Sequence, residues 1–261
     1  MTLVVALVCK DGVVIASDSL TSYGLAPLKR PTGPKLHVLG KNIVMGSAGT
    51  LGPIQEITER LEDVVHKGSE ASARGIRADA RNAVFEVTKD HLSRVRALNE
   101  DVHPEQVPSA EIVLVSANGG PFICHVHPDG YCEQEPQYCA IGSSLYYAEL
   151  ILRDRYQPDL SVEDGKLVAL WTIKEASEVD TFVGGGVQIK VVLPDRVVDV
   201  PAEEIRALED DYAFRKSVAK DLFLNWNRVS APILKILGEV KGAPRQEDVA
   251  AVESAGKKPN A

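Results

Sequence analysis

Apolar residues in the first fifty positions follow a short-period pattern that turn residues interrupt. Leu3–Cys9 and Val13–Ser17 are β-rich runs, and the Asp-Gly dipeptide between them is typical of a β-hairpin. Leu36–Leu39 and Ile43–Gly46 predict a second strand pair that turns at residues 40–42. Between the two pairs, residues 20–34 contain three prolines and two glycines, which predicts a loop.

Two helices are predicted next, because the spacing of apolar residues changes to three and four. Pro53 suits the first turn of a helix, and apolar residues recur at helical spacing from Ile54 to Val65. A second helix is predicted over Ile76 to Leu98, and its expected buried side is formed by Val84, Val87, Leu92 and Val95.

The rest of the chain repeats this order of strands and helices. We predict three strands, at Ile112–Ser116, Phe122–Val126 and Tyr138–Ile141, and then two helices, at Ser144 to Arg155 and at Leu167–Ile173. A capping box at 161–164 precedes the second of these helices. A last strand pair follows at Val187–Leu193 and Val197–Val200, and then a terminal helical region from Ile205 to Leu237 that Pro232 interrupts. Hairpin turns and paired helices favour antiparallel sheets over a strictly alternating parallel fold. We therefore expect an α+β protein, a four-layer αββα sandwich of two antiparallel sheets.

The domain organisation follows from the same pattern. Residues 1–241 are expected to form one domain, with additional C-terminal helices from about residue 202. Residues 242–261 are polar and rich in small residues, which is typical of a flexible tail.

Composition narrows the class of partner. The 261-residue chain has a formal net charge of -8 and no basic cluster, which argues against nucleic acid or an anionic membrane as its partner. No apolar run reaches the roughly 18–20 residues of a spanning helix, and no signal-peptide pattern precedes the first strand. We expect a cytoplasmic protein with four reduced thiols, at Cys9, Cys124, Cys132 and Cys139.

A metal site is the first candidate for chemistry, because Cys124, His125, His127, Cys132 and Cys139 lie close together in the sequence. The Cys124-x-x-His127 spacing resembles half of a zinc site, but no second half has a matching spacing. Cys124 and His127 also fall on opposite faces of a strand, since side chains alternate along it. We therefore expect no metal and no other cofactor.

Thr2 is the second candidate. Aminopeptidases remove an initiator Met readily when the next residue is small, and Thr2 would then carry both a hydroxyl and a free α-amine. An α-amine titrates at roughly 7.7–8.0 and can accept the proton of the hydroxyl beside it. The alternative is that threonine is merely a common second residue.

Three segments in the same order resemble one known family. They are Thr2 through Asp18, the Gly-Ser-Ala-Gly-Thr-Leu-Gly run from Gly46 to Gly52, and the Ala-Ile-Gly-Ser-Ser run that ends at Ser144. Across residues 2–193 the chain resembles the proteasome β-subunit family of N-terminal nucleophile hydrolases, most of all its bacterial homologues, a group that includes the HslV peptidase. The resemblance implies the N-terminal nucleophile hydrolase fold and threonine-type peptide hydrolysis.

The resemblance also implies roles for individual residues. Thr2 matches the nucleophile, Lys35 matches the lysine that promotes it, and Asp18 matches the acid that orients this lysine. The loop before Lys35 is one residue longer than usual in the family. Ser143 matches a serine near the amino terminus, and Asp180 matches the second acidic residue.

Substrate contacts are implied in the same way. Gly49 matches the glycine whose backbone N–H stabilises the oxyanion, and Ser47 matches the residue that floors the main specificity pocket. Strand segments near Ser22 and Gly49 would bind an extended peptide through main-chain hydrogen bonds. The implied partners are peptide or unfolded protein substrates, further copies of this chain in a homo-oligomeric ring, and an ATPase unfoldase.

Val183 departs from the family pattern, which usually has a serine three residues beyond the second aspartate. Valine cannot donate a hydrogen bond to the amine or the aspartate, so either Ser143 and water supply that contact or activity is low. Two alternatives therefore stay open. One is a non-proteolytic amidase or peptide transferase of the same superfamily, and the other is a catalytically silent assembly scaffold.

Overall fold

The computed structural model describes residues 2–23, 26–31, 34–67, 75–103, 107–226 and 230, with the backbone alone for 22–23 and 26–31. The chain divides into two compact units, Met1–Glu209 and Asp210–Ala261. In chain order the elements are β1 (Leu3–Cys9), β2 (Gly12–Asp18), β3 (Leu20–Tyr23), β4 (Ala26–Pro31), β5 (Leu36–Gly40), β6 (Ile43–Gly49), α1 (Leu51–Lys67), α2 (Arg77–Leu98), β7 (Ala110–Ser116), β8 (Phe122–Val126), β9 (Cys132–Glu135), β10 (Tyr138–Gly142), α3 (Leu145–Arg155), α4 (Val162–Val179), β11 (Val187–Val192), β12 (Val197–Asp199) and α5 (Ala202–Leu224).

Two five-stranded antiparallel sheets form the centre of the unit Met1–Glu209. The first sheet has the order β10-β1-β2-β11-β12, and the second has the order β5-β6-β7-β8-β9. Strands β3 and β4 pair separately from both sheets. The predicted Asp-Gly hairpin is confirmed, since Cys9 of β1 pairs with Gly12 of β2.

Apolar side chains fill the space between the sheets, and helices cover the outer faces. Val4 and Ile15 of the first sheet share one buried cluster with Val44 and Val113 of the second. Helices α1 and α2 form another cluster with the outer face of the second sheet. Helices α3 and α4 contact the first sheet. The predicted four-layer αββα sandwich is therefore confirmed.

The prediction of a loop over residues 20–34 is wrong for most of its length. Strands β3 and β4 lie there and pair from Leu20 with Pro31 to Tyr23 with Ala26. Pro31 is tolerated because it lies at the end of the ladder, where a missing N–H costs little. Strand β9 is not predicted, because an edge strand with outward polar residues carries almost no apolar signal.

The cysteines also correct a prediction. Cys124 and Cys132 form a disulfide, while Cys9 and Cys139 are free and buried. The pairing of β8 with β9 explains this, since Cys132 lies opposite Val126, two residues from Cys124 on the same face. The expectation of four reduced thiols is therefore wrong, and the zinc half-site loses its thiol ligand.

Helix α5 begins at Ala202, close to the predicted start of the terminal helices. Within the unit Met1–Glu209, Lys174 Nζ donates to Glu209 Oε1 at 3.2 Å and so ties α4 to the first turns of α5. Pro232 and the expected tail at 242–261 lie outside the described residues. In the described part of the chain, no helix combines the length and apolarity that a membrane crossing requires.

Candidate active site

Asp18, at the end of β2, connects several parts of the site through one carboxylate. Its Oδ1 accepts hydrogen bonds from Leu3 N–H at 2.9 Å and from Lys35 Nζ at 2.7 Å. Its Oδ2 accepts from the N–H groups of Leu20 and Gly184, both at 3.2 Å. The carboxylate is fully buried, so these four donors replace the water that it loses on folding.

Lys35 lies just before β5, and its ammonium is also buried. Besides Asp18, its Nζ donates to the Leu20 carbonyl at 2.7 Å. Burial lowers the pKa of Lys35 below its ordinary value of 10.5, and the charge and hydrogen bond of Asp18 act against this shift. Ser47 N–H donates to the Lys35 carbonyl at 3.2 Å, which fixes the lysine backbone to β6.

Thr2 directly precedes β1 and is held by the segment that follows β10. Its carbonyl accepts a hydrogen bond from Ser143 N–H at 3.0 Å. Leu3 pairs with Gly142, which has a φ of 105°. A Cβ on Gly142 would lie 1.9 Å from the Thr2 carbonyl oxygen. Only glycine therefore lets the chain approach Thr2 so closely.

Asp180 follows α4 and accepts hydrogen bonds from two hydroxyls. Ser143 Oγ donates to Asp180 Oδ2 at 2.9 Å, and Ser144 Oγ donates to the same oxygen at 2.5 Å. Phe182 N–H donates to Oδ1 at 2.8 Å. Burial raises the pKa of Asp180, but the hydrogen bonds from Ser144, Phe182 and Ser143 outweigh it, so the pKa lies below 3.8. Ser143 also donates its N–H to the Thr2 carbonyl, and Asp18 accepts from the N–H of Leu3. Both carboxylates are therefore connected to the backbone of residues 2 and 3.

Gly49 ends β6, one residue before α1 begins, and is exposed. Its φ is 128°, and a Cβ there would lie 2.4 Å from the Ser109 carbonyl oxygen, so this turn requires glycine. Ser47 is buried on the same strand. The oxyanion role of Gly49 and the pocket role of Ser47 stay predictions. So does the role of Ser22, which lies on β3 with its side chain outside the described part of the chain.

Val183 is buried, and its N–H donates to the Asp180 carbonyl at 3.1 Å. A second hydroxyl, that of Ser144, donates to Asp180 where Val183 cannot, and the sequence did not predict this role. The feature of the sequence that could have indicated it is the pair of adjacent serines before α3. Ser144 is the N-cap residue of that helix, yet its side chain makes no cap hydrogen bond.

The Gly-Gly-Gly run after Val183 forms hydrogen bonds with residues at the end of β2. Gly184 N–H donates to Asp18, and the Gly184 carbonyl accepts from Ser19 N–H at 3.2 Å. Gly186 N–H donates to Ser19 Oγ at 2.7 Å. The run therefore packs its backbone against the end of β2. It links the segment after Asp180 to the aspartate that binds Lys35.

The comparisons with known proteins agree with this fold. A family model described as proteasome subunit matches residues 2–192. "Proteasome subunit beta" of Methanocaldococcus vulcanius is 28% identical over 213 residues, which cover 79% of this chain and 88% of the relative. The Methanocaldococcus jannaschii protein of that name is 29% identical, covering 80% of this chain and 89% of its own.

"Proteasome subunit beta 2" of Pyrobaculum neutrophilum is 27% identical over 202 residues, which cover 72% of this chain and 87% of the relative. These relatives are archaeal, whereas the sequence motifs suggested bacterial homologues. The family is the same in both cases. Since the family model spans most of the sandwich and the strands follow the N-terminal nucleophile hydrolase fold, the chain belongs to the proteasome subunit family.

Proposed function

We propose that this protein is a threonine-type peptidase with Thr2 as its nucleophile after removal of Met1. The observation that carries the proposal is the shared oxygen of Asp18. Asp18 Oδ1 binds both the N–H of Leu3, next to Thr2, and the buried ammonium of Lys35. An ammonium at this position favours ionisation of a neighbouring hydroxyl.

The reaction needs few groups. The Thr2 hydroxyl attacks the carbonyl carbon of a peptide bond and gives its proton to its own α-amine. The peptide C–N bond then breaks, the leaving amine takes that proton, and an ester on Thr2 remains. Water hydrolyses the ester and regenerates the hydroxyl. Gly49 N–H is proposed to stabilise the oxyanion that forms in both steps.

Asp180 is proposed to hold the proton acceptor in place. Its hydrogen bonds from Ser143 and Ser144 keep the carboxylate ionised close to the start of β1. An ionised carboxylate can orient an α-amine whose protonation changes during the reaction. Ser144 supplies a hydroxyl in this region although Val183 does not, which supports a working site over an incomplete one.

The substrates proposed for this site are peptides and unfolded protein segments. An extended segment would bind along the strand edges near Ser22 and Gly49, with one side chain in a pocket floored by Ser47. Folded proteins would need an ATPase unfoldase as a partner to deliver such segments. The proposed location is the cytoplasm.

We also propose that the chain assembles into a homo-oligomeric ring. Helix α3 supports this, since Tyr146 and Leu150 are 82% and 66% exposed. Large exposed apolar side chains on one helix are typical of a protein interface. Native mass measurement of the purified full chain would test the assembly, and a monomer at working concentration would contradict it.

Val183 favours a second candidate, a catalytically silent assembly scaffold. A buried valine three residues after Asp180 contributes no hydroxyl to the region around the amine. In that case the fold and the assembly would persist while Thr2 stays unreactive. An amidase or transferase of the same superfamily would react at Thr2 but give different products.

The test begins with the intact mass of the purified protein, because a retained Met1 would block the reaction. Labelling by an electrophilic probe for N-terminal threonine and cleavage of a peptide panel are then measured for wild type, Thr2→Ala and Thr58→Ala. Thr58 is a matched control, since its hydroxyl donates to the Ile54 carbonyl within α1. We expect Thr2→Ala to abolish labelling and cleavage without unfolding, and Thr58→Ala to retain both.

Undiminished cleavage by Thr2→Ala would contradict the proposed nucleophile. A wild-type protein that has lost Met1 but neither labels nor cleaves would favour the scaffold. Labelling without peptide hydrolysis, with amide or ligated products by mass analysis, would favour the amidase or transferase.

A further inference from the structure

Three potential metal ligands converge on one face of the second sheet. Glu111 lies on β7, His125 lies on β8, and His127 follows β8 directly. The register pairs Val113 with His125 and Ile112 with Val126, so Glu111 lies opposite His127 one step further along. Because side chains alternate along strands, all three residues point to the same face.

Their side chains are in contact. His125 Nε2 and Glu111 Oε2 are 3.0 Å apart, and the ring centroids of His125 and His127 are 3.9 Å apart. One ligand atom from each residue lies within 4.8 Å of the other two. Bonds of about 2.0–2.2 Å to a single ion require ligand atoms roughly 3–4 Å apart. Small side-chain rotations would therefore allow all three to bind one ion.

His127 carries the second observation. Its Nε2 is buried and has no hydrogen-bond partner among the described residues. Buried polar atoms without a partner are rare in folded proteins, so each needs an explanation. A bound cation would satisfy this nitrogen, since neutral imidazole is a common metal ligand.

Access fits the same explanation. A cavity of about 400 Å³ borders the cluster and is lined by both histidines, Tyr138, Cys139 and Glu149 among others. It provides a path for an ion and room for water in the positions that three protein ligands leave open.

We propose that Glu111, His125 and His127 form a binding site for a divalent transition-metal ion, with Zn²⁺ as the probe. Two histidines and one carboxylate are a ligand set that zinc and its neighbours in the first transition row accept. The other Glu111 oxygen, Oε1, accepts from Gly142 N–H at 3.0 Å. This hydrogen bond orients the carboxylate as an outer contact does in known metal sites. The site does not depend on the proposed peptidase activity.

The test uses the full chain without thiol reductant, so that the Cys124–Cys132 disulfide stays intact. Protein treated with a chelator is incubated with Zn²⁺ and desalted, and its zinc content is measured by mass spectrometry. Zinc affinity is then measured by competition with a chromogenic chelator. We expect about one ion per wild-type chain. His127→Gln and Glu111→Gln should bind at least about tenfold more weakly, because each removes one ligand.

Two variants serve as controls. His91→Ala removes a histidine whose Nε2 lies 3.1 Å from Glu56 Oε1, a histidine–glutamate pair outside the proposed site. Cys139→Ala removes the free thiol that lines the same cavity. Both variants should bind zinc as wild type does.

Less than about a tenth of an ion on the wild-type chain would overturn the proposal. So would wild-type affinity in both His127→Gln and Glu111→Gln, or loss of the ion in Cys139→Ala alone. Circular dichroism of each variant establishes that it is folded. Should either glutamine variant fail to fold, the visible absorption spectrum of Co²⁺ bound to the wild type tests the proposal instead. Histidine and carboxylate ligands give d–d absorption without a thiolate charge-transfer band, and a spectrum with a thiolate band, or without d–d absorption, would overturn the proposal.

Discussion

Replacing one partner of the buried Asp18–Lys35 pair should show how much this pair contributes to the free energy of unfolding. Asp18→Asn keeps the size of the side chain but replaces one acceptor oxygen with a donor. The carboxylate accepts four hydrogen bonds, two at each oxygen. In the amide, two of those donors would face an NH₂ group. Lys35 would also stay buried without its counter-charge.

The expected loss can be estimated from these contacts. Leaving one charge of a buried pair uncompensated typically costs about 3–5 kcal/mol. A buried donor left unsatisfied adds about 1–3 kcal/mol, although part of this is already in the first figure. We therefore expect Asp18→Asn to lower the unfolding free energy by about 4 kcal/mol. Lys35→Met should cost less, because Asp18 keeps the N–H donors of Leu3, Leu20 and Gly184.

The double variant Asp18→Asn/Lys35→Met separates the pair from its surroundings. It no longer buries an unpaired ammonium, so its loss should be smaller than the sum of the single losses by about 2 kcal/mol. Urea unfolding of all four proteins measures this coupling. Lys174→Met and Glu209→Gln form the control cycle, because that pair is 35% exposed at both side chains and should couple by less than about 1 kcal/mol. Losses that add to within about 0.5 kcal/mol at Asp18 and Lys35 would refute the reasoning.

Two further predictions concern the backbone and the second carboxylate. In urea unfolding, Gly142→Ala should lower the unfolding free energy more than Gly120→Ala does. Both glycines have a φ of 105°, but only a Cβ at position 142 would clash with the Thr2 carbonyl. Equal losses of unfolding free energy in the two variants would contradict this. Asp180 has a folded-state pKa below its ordinary 3.8, so its stabilising contribution is present above that value and is lost as the pH falls through the folded pKa. The difference in unfolding free energy between wild type and Asp180→Asn should therefore be largest above about pH 4 and should shrink in more acid solution. A difference that is constant with pH would show that the charge of the carboxylate does not contribute to stability.

Local patterns in the sequence determined most of the sandwich. The runs Leu3–Cys9 and Ile43–Gly46 carry enough β-branched and apolar residues to predict strands without tertiary information. The N-cap that the capping-box pattern predicts before α4 is confirmed as well, since Ser161 Oγ accepts a hydrogen bond from Asp164 N–H at 3.2 Å. These signals were readable because each depends on residues a few positions apart.

Segments whose structure depends on distant partners were not readable in this way. Residues 20–34 contain the prolines and glycines that predict a loop, yet strands β3 and β4 form there because they pair with each other. Strand β9 exists because β8 offers it an edge. The same pairing brings Cys124 and Cys132 together, which no spacing rule indicates.

The candidate site shows the same division. The sequence alone supplied Thr2, Asp18 and Lys35, through motifs that resemble those of the proteasome β-subunit family. Only the tertiary structure joined Asp180 to Ser144 and placed Glu111 beside His125 of β8. The physical reason is that a hydrogen bond between residues 36 positions apart depends on how the chain folds back on itself. Residue type and local spacing determine which strands and helices form, and the packing of the two sheets decides which side chains meet.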